Sequence, residues 1–154
     1  MSPATAGVAR AVATAGIVVA LDQATKQLAV ESLRQGESVN VFLGIDITNT
    51  RNTGVAFGVF RGGGVIVGLL IGVSLSILVA YFLLHADRPL LWLPVGMLLG
   101  GALGNLADRA REGAVIDFID PVLWPAFNLA DASIVLGVLV LLWVLEGPRR
   151  PPAS

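Results

Sequence analysis

Long apolar runs separated by short polar stretches dominate the sequence. A helix needs about 20 consecutive apolar residues to cross a bilayer, and four runs approach or reach that length. They predict membrane-spanning helices near residues 11–30, 62–85, 90–108 and 122–145. The second is the clearest, because it holds no charged residue between Gly62 and Leu84.

The longest polar region lies between the first two runs, at residues 31–61. Within it, apolar side chains recur at every second position: Val39, Val41, Leu43, Ile45 and Ile47. A period of two is typical of a strand with one apolar face. We therefore predict a small sheet or hairpin within residues 37–50, with a bulge or turn at Gly44. The small, mildly polar residues 1–9 predict a disordered start.

The composition indicates that these runs belong to one membrane bundle. Of the 154 residues, 55% are hydrophobic and only 14% are charged, unlike an ordinary soluble domain. We expect an all-α integral membrane protein, a four-helix transmembrane bundle with a small β-sheet, folded as a single domain over residues 1–154. The net charge of −1 gives no indication of nucleic-acid binding.

The residue inventory narrows the possible chemistry. The chain has no Cys, which excludes disulfides, a thiol nucleophile and thiolate metal sites. It has one His, His85, and one Lys, Lys26, so a zinc site of the HExxH type is impossible. We expect no metal site.

Carboxylates in apolar surroundings are the strongest chemical signal in the chain. The stretch Gly100–Asp131 carries four of the seven Asp residues and is flanked by apolar runs. A carboxylate in or beside a bilayer is costly and is a functional-site hypothesis by default. Asp117 and Asp131 lie fourteen positions apart, at the edges of a short polar interruption. A connection that brief can fold back and bring both carboxylates together at one membrane face.

Two facing carboxylates share one proton, because both do not easily ionise at close range. The ionised acid can take a proton from water, and the protonated acid can hydrogen-bond a substrate carbonyl. This is amide hydrolysis with neither a covalent intermediate nor a metal. A Ser–Lys dyad of Ser133 and Lys26 is an alternative, although Asp22 would keep the lysine protonated. In a purely structural alternative, Asp117 solvates a loop and Asp131 caps or pairs inside the bundle.

Five short motifs lie in order along the chain. They are Asp22-Gln23-Ala24-Thr25-Lys26, Asn52-Thr53-Gly54-Val55-Ala56-Phe57, Gly104-Asn105-Leu106-Ala107-Asp108-Arg109, Val115-Ile116-Asp117-Phe118 and Phe127-Asn128-Leu129-Ala130-Asp131. Each is weak alone. Together they resemble the lipoprotein signal peptidase family, also called signal peptidase II, along nearly the whole chain. Val55 departs from the family, which more often has Ala there, and this should alter packing but not chemistry.

The resemblance implies an intramembrane aspartic endopeptidase with Asp117 and Asp131 as the catalytic pair. Other residues would shape and support the site: Asn52, Gly54, Asn105, Asp108, Arg109, Asn128 and Ala130, with Asp22 and Lys26 as further support. The implied substrate is a prolipoprotein whose Cys already carries diacylglycerol, and the implied cut removes the signal peptide just before that Cys. No cofactor is implied. The other implied partners are membrane lipids and an inhibitor of the globomycin type, and we expect a monomer.

The resemblance also implies a location and an orientation. The protein would be a multi-pass protein of the bacterial cytoplasmic (inner) membrane, with cytoplasmic termini and an active site at the outer face. Residues 31–61 would form an extracytoplasmic cradle. Lys and Arg are usually enriched on the cytoplasmic side of a membrane protein. In this sequence six of them lie on the side of the 31–61 and Asp117 loops and four on the side of the termini, which argues against this orientation. We discount the excess because Lys26 and Arg109 are expected to have partners in the site.

A proton-coupled small membrane transporter is the alternative function, because transporters also use intramembrane carboxylates. Such a protein would be expected to show repeated halves or broken helices with polar sites at mid-membrane. The sequence shows no internal repeat, and its polar residues cluster towards one face. A non-catalytic membrane scaffold is a third class, and it would not need paired acids. Cleavage of a lipidated precursor would distinguish the enzyme from both.

Overall fold

Four helices and three strands make up the part of the chain that the structure describes. In the computed structural model, residues 1–54 and 63–147 are described, with side chains from residue 68 onward in the second stretch. The helices are α1 (Pro3–Ser32), α2 (Gly63–Leu84), α3 (Trp92–Glu112) and α4 (Leu129–Glu146), and the strands are β1 (Ser38–Phe42), β2 (Ile45–Asn52) and β3 (Val115–Pro121). The motif residues Val55, Ala56 and Phe57 lie outside the described residues.

Helix α1 begins at Pro3, so the prediction of a disordered start over residues 1–9 was wrong. The Oγ of Ser2 accepts a hydrogen bond from the N–H of Thr5 at 3.1 Å and caps the first turn. Pro3 occupies the first helical position, where the N–H that it lacks would have no partner within the helix. A capping Ser followed by Pro is a helix-start signal that the mild local composition obscured.

Helix α4 begins at Leu129, so the start of the predicted span at residue 122 was also wrong. The residues before it include Pro125, which does not fit the interior of a helix. The backbones of Phe127 and Ile119 pair through two hydrogen bonds of 2.9 Å each. The apolar run over residues 122–145 therefore crosses a turn before it enters the helix.

The three strands form one antiparallel sheet in the order β1–β2–β3. The hairpin predicted within residues 37–50 is confirmed by β1 and β2, and Gly44 lies in the turn between them with φ of 82°. The third strand was not predicted, because its residues lie in the connection between the predicted spans 90–108 and 122–145. In β3, Val115 lies opposite Asn52 of β2. The sheet thus brings the end of β2 beside the segment that connects α3 to α4.

Helix α3 lies between α1 and α4 and contacts both through glycines. A Cβ added to Gly96 would lie 2.6 Å from the Cβ of Thr14 in α1. A Cβ added to Gly101 would lie 2.5 Å from the carbonyl oxygen of Ala130 in α4. Both distances are shorter than real contacts, so the helices approach this closely only because these positions lack side chains. Gly100, one helical turn after Gly96, packs on α1 in the same way, since a Cβ added there would lie 2.7 Å from the Cβ of Val18.

The outer faces of the helices are apolar. Side chains such as Ile17, Leu70 and Leu139 are more than half exposed. Exposed apolar surface of this extent marks an interaction site. Because whole helix faces are apolar, contact with the lipid chains of a membrane suits them. Among residues 1–54 and 63–147, α1 and α4 have the length and composition to cross a membrane. The count of four spans is not confirmed and stays a prediction.

Candidate active site

Three helices and two strands meet at one end of the bundle, and most of the predicted site residues lie at this junction. They come from α1 (Asp22, Lys26), β2 (Asn52), α3 (Asn105, Asp108), β3 (Asp117) and the start of α4 (Asn128, Ala130, Asp131). Hydrogen bonds and ion pairs connect all of these positions in one network.

Two predicted residues lie at the edge of the network. Gly54 follows β2, and its N–H donates to the Oδ1 of Asn52 at 2.9 Å. Its φ of 73° is in the left-handed region that favours glycine. Arg109 is exposed, and its guanidinium donates to the backbone carbonyl of Asn105 at 3.5 Å. The structure therefore does not bring the Arg109 side chain to the carboxyl groups of Asp117 or Asp131.

Asp131 is held at the start of α4 by a reciprocal pair of hydrogen bonds with Asn128. The Oδ1 of Asn128 accepts from the N–H of Asp131 at 2.9 Å, and the Oδ2 of Asp131 accepts from the N–H of Asn128 at 3.3 Å. This capping box fixes the side chain relative to the helix. The remaining oxygen, Oδ1, accepts from the Nδ2 of Asn105 at 2.7 Å.

Asp117 is held on β3 by two amides. Its Oδ1 accepts from the Nδ2 of Asn128 at 2.7 Å, and its Oδ2 accepts from the Nδ2 of Asn52 at 2.9 Å. Because the side-chain oxygen Oδ1 of Asn52 accepts from the N–H of Gly54, the side-chain nitrogen Nδ2 of Asn52 faces Asp117. The Asp117 side chain is only 2% exposed. The unpredicted strand therefore places this carboxyl group in the interior, where the sequence indicated a loop.

The surroundings of Asp117 favour its protonated form. Burial raises the pKa of the Asp117 carboxyl above its ordinary value. The hydrogen bond from Asn52 opposes this rise, the negative charge of Asp131 adds to it, and the hydrogen bond from Asn128 opposes it. The two acids therefore lie close enough for the charge of one to bear on the ionisation of the other.

Lys26 is the centre of a buried charge network. Its Nζ lies 2.8 Å from the Oδ2 of Asp22 and 2.7 Å from the Oδ2 of Asp108. It also donates to the Oδ1 of Asn105 at 3.0 Å. The ammonium group has three N–H donors, and these three oxygens account for all of them. A lysine whose nitrogen is bound to two carboxylates and an amide oxygen is poorly placed to act as a base.

The amide of Asn105 has one orientation that suits its neighbours. Its Oδ1 accepts from the Nζ of Lys26 and from the Nδ2 of Asn128, the latter at 3.1 Å. Two donors at the oxygen require the amide nitrogen to lie on the other side, where it donates to Asp131. The contacts of Lys26 and Asn128 thus determine which group Asn105 presents to Asp131.

Two residues outside the predicted set also join the network. The Nε2 of Gln23 donates to the Oδ1 of Asp108 at 2.9 Å and to the carbonyl oxygen of Gly104 at 3.2 Å. Its Oε1 accepts from the guanidinium of Arg111. Gln23 could have been added to the site from the sequence, because it is a polar residue between Asp22 and Lys26 in an apolar run. Nothing in the sequence distinguishes Arg111 from other arginines near a helix end.

The alternative Ser–Lys dyad does not form. The Oγ of Ser133 donates to the carbonyl oxygen of Met97 at 3.1 Å, which directs its hydroxyl hydrogen away from Lys26. A nucleophilic serine would need its hydroxyl within hydrogen-bond reach of the base. The geometry therefore supports the paired acids over the serine.

Apolar outer faces together with a pair of acids at one end of the bundle, the buried Asp117 and the half-buried Asp131, define a membrane protein with a paired-carboxylate site. The family model for signal peptidase (SPase) II matches residues 14–146. A lipoprotein signal peptidase of Moorella thermoacetica is 45% identical over 134 residues, which cover 86% of this chain and 89% of the relative. That of Halothermothrix orenii is 38% identical over 130 residues, which cover 84% of this chain and 90% of the relative. The chain belongs to the signal peptidase II family, whose peptidases remove signal peptides from prolipoproteins.

Two solved structures have the same fold. One is a bacterial membrane enzyme determined by the in meso method at 1.9 Å resolution, with a TM-score of 0.81 and 31% identity. The match covers 92% of this chain and 95% of that chain. A second bacterial membrane enzyme, determined at 2.3 Å resolution, gives a TM-score of 0.77 with 29% identity and covers 96% of this chain. The helical bundle with a small sheet at one end is thus a membrane-enzyme fold.

Proposed function

We propose that the chain is an aspartic endopeptidase whose catalytic residues are Asp117 and Asp131. The observation that carries this proposal is the position of Asn128 between the two acids. Its Nδ2 donates to Asp117 at 2.7 Å, and its Oδ1 accepts from the N–H of Asp131 at 2.9 Å. One buried side chain thus contacts both residues, which supports their action as a pair on a single peptide bond.

In the proposed reaction the two carboxyl groups share one proton. The raised pKa of Asp117 favours this residue as the holder of the proton and Asp131 as the base. Asp131 takes a proton from water, the water oxygen bonds to the scissile carbonyl carbon, and Asp117 gives its proton to the carbonyl oxygen. The tetrahedral intermediate then breaks its C–N bond. The amine nitrogen receives the proton from Asp131, and a hydroxyl proton returns to Asp117, so the dyad is restored.

Neutral amides would keep the acids in place throughout this cycle. Asn52 donates to Asp117 and Asn105 donates to Asp131, and neither amide changes its charge with pH. The donor from Asn52 opposes the rise in the pKa of Asp117. Protons can move between the acids, the water and the substrate without a rearrangement of these amide partners, which is the preorganisation that acid–base catalysis needs.

The proposed substrate is a prolipoprotein whose Cys already carries diacylglycerol, and the proposed cut lies just before that Cys. Family membership supports the substrate class. Exposed apolar side chains beside the site, Leu103 and Leu106 on α3 and Trp124 before α4, support a lipid-bearing substrate. Acyl chains and a signal helix could lie against these side chains while the scissile amide reaches the acids. Binding of this kind positions the reacting groups and contributes much of the rate.

The proposed setting is the bacterial cytoplasmic membrane, with α1–α4 as four spans. Helices α2 and α3 have 22 and 21 residues, which at about 1.5 Å per residue is about 30 Å, the thickness of the hydrocarbon core. Four spans place both termini on one face, which we assign to the cytoplasm, and the sheet and the acids on the outer face. The enzyme would act as a monomer, without a cofactor, and its site would accept a globomycin-type cyclic peptide.

Cleavage by the purified protein in detergent tests the proposal. The substrate is a prolipoprotein with diacylglycerol on its Cys, and the control is the same chain without the lipid. We expect the mass of the product to place the cut just before the lipidated Cys, with the control left uncut. An intact lipidated precursor would contradict the proposal and favour a transporter or a scaffold. A cut at another bond would refute the assigned cleavage site alone.

A further inference from the structure

We propose that Asp22, Lys26 and Asp108 form a clamp that fixes the spacing of Asp117 and Asp131, an inference that rests on the proposed function. The three residues lie behind the two acids, and none of them contacts either carboxyl group through a hydrogen bond of its own side chain. They act instead on the backbone that carries the acids. We therefore assign them the role of positioning residues.

The first arm of the clamp holds the start of α4. The Oδ1 of Asp22 accepts a hydrogen bond from the N–H of Ala130 at 2.9 Å, and Ala130 directly precedes Asp131. Both Asp22 and Ala130 are fully buried. A carboxylate at the first turn of a helix also interacts favourably with the helix dipole. A side chain of α1 thus fixes the position of α4 along its axis and its rotation about that axis, and α4 carries Asp131.

The second arm holds the third strand in the same manner. The Oδ2 of Asp108 accepts a hydrogen bond from the N–H of Ile116 at 3.2 Å, and Ile116 directly precedes Asp117. The sheet partner of Ile116 is Arg51 on β2, so this bond ties the sheet to α3. The two arms therefore bind the N–H of the residue immediately before each acid, on two different elements, α4 and β3.

Lys26 joins the two arms. Its Nζ lies 2.8 Å from Asp22 and 2.7 Å from Asp108, and the three side chains are 1%, 0% and 3% exposed in the order Lys26, Asp22, Asp108. Without the ammonium group, two buried carboxylates would face each other uncompensated. A third contact runs from Lys26 through the amide of Asn105 to Asp131. One cation thus determines the positions of both arms and of one amide partner.

A clamp and a merely structural network have different consequences for the pH profile of cleavage. When a pair of acids shares one proton, activity rises with the first ionisation and falls with the second. The pH interval between the two ionisations depends on how strongly the two acids interact, and therefore on the distance between their carboxyl groups. The clamp residues on α1 and α3 are the buried charged groups of the elements packed against the acids. Arg109, Arg111 and Glu112 at the end of α3 are exposed, and Arg51 on β2 lies with its guanidinium 3.1 Å from Glu112. If the clamp is loosened, the carboxyl groups of Asp117 and Asp131 should move apart, and the pH range over which the protein cleaves should become narrower. A loss of stability should lower the maximum activity and leave the width of that pH range unchanged.

The experiment compares three clamp variants, Asp22→Asn, Asp108→Asn and Lys26→Met, with Val95→Ala as control. Val95 is fully buried in the apolar core at the other end of the bundle, so its truncation lowers stability without touching the site. Cleavage of the lipidated precursor is measured across pH on protein that remains folded. We expect kcat to fall by about 10- to 100-fold with KM nearly unchanged, since a misplacement of about 1 Å can cost about 100-fold. The profile should narrow in all three variants and keep its width in the control.

A profile of unchanged width in Asp108→Asn or Asp22→Asn would overturn the clamp and leave these residues a structural role. The asparagine variants keep the size of the side chain, so they decide the matter if Lys26→Met does not fold. Failure of the proposed function looks different. In that case the wild-type protein has no two-sided profile, or Asp117→Asn cleaves as well as wild type.

Discussion

Gly104 is a position where one methyl group should disturb the site from outside. It lies on α3 against Asp22, and a Cβ added there would sit 2.6 Å from the Oδ2 of Asp22 and 3.2 Å from its Cγ. The carboxylate cannot easily give way, because it is fully buried and bound to Lys26 at 2.8 Å and to the N–H of Ala130 at 2.9 Å. We predict that Gly104→Ala destabilises the protein.

Three contributions set the size of this effect. Ala favours a helix interior over Gly by about 1 kcal/mol, which opposes the loss. Overpacking of a filled interior costs about 1–3 kcal/mol. Removal of one partner from a buried ion pair costs about 3–5 kcal/mol, and a shifted carboxylate loses part of that amount. We expect a net loss of about 2–4 kcal/mol, which lowers the Tm by roughly 5–15 °C.

Gly16→Ala is the matched control for Gly104→Ala. A Cβ at Gly16, in the middle of α1, meets no atom of the described residues within 4 Å. The helix preference then acts alone, and we expect a gain of up to about 1 kcal/mol. Thermal unfolding of both variants in the same detergent is the assay. A Gly104→Ala protein that is as stable as wild type would show that the glycine is not needed for the approach of α1 to α3.

Substitutions at four further positions test single features of the site by thermal unfolding or by cleavage. Lys26→Met should lower the free energy of unfolding by about 3–5 kcal/mol, whereas the exposed Arg34→Met should change it by less than about 0.5 kcal/mol; equal effects would contradict the buried charge network. Because the pKa of Asp117 is raised, the folded state binds its proton more tightly than the unfolded state does. The stability of wild type relative to Asp117→Asn should therefore be greatest at acid pH and decline as pH rises from about 4 through the raised pKa, and a difference independent of pH would refute this. Ser133→Ala should cleave at nearly the wild-type rate, while loss of cleavage would revive the Ser–Lys alternative.

The apolar runs and the period-two stretch predicted the elements whose signals are local. The hairpin was found because alternation at Val39 and Ile47 is visible without knowledge of its partners. The helix ends were less accurate, since capping decides them and not hydropathy. The Ser2 cap extends α1 to Pro3, and Asn128 delays α4 to Leu129.

The third strand could not be predicted from its own residues. The segment Val115–Pro121 contains two acids and a proline, and it becomes a strand because β2 offers a free edge beside the end of α3. Tertiary context of this kind overrides local preference. The motifs located Asp117 and Asp131 in the chain, but only the folded structure shows the amide of Asn128 between them. The interior position of Asp117 follows from the third strand, and because the strand could not be predicted, this position could not be predicted either.

Cleavage of the lipidated precursor by Asp117→Asn, Asp131→Asn and the double variant tests the proposed mechanism most directly. Asn is nearly the same size as Asp but cannot transfer the proton, so each folded single variant should lose about 100- to 10,000-fold in kcat. Because the acids act as a unit, the double variant should be scarcely slower than either single one. Cleavage at close to the wild-type rate by folded Asp131→Asn protein would contradict the paired-acid mechanism.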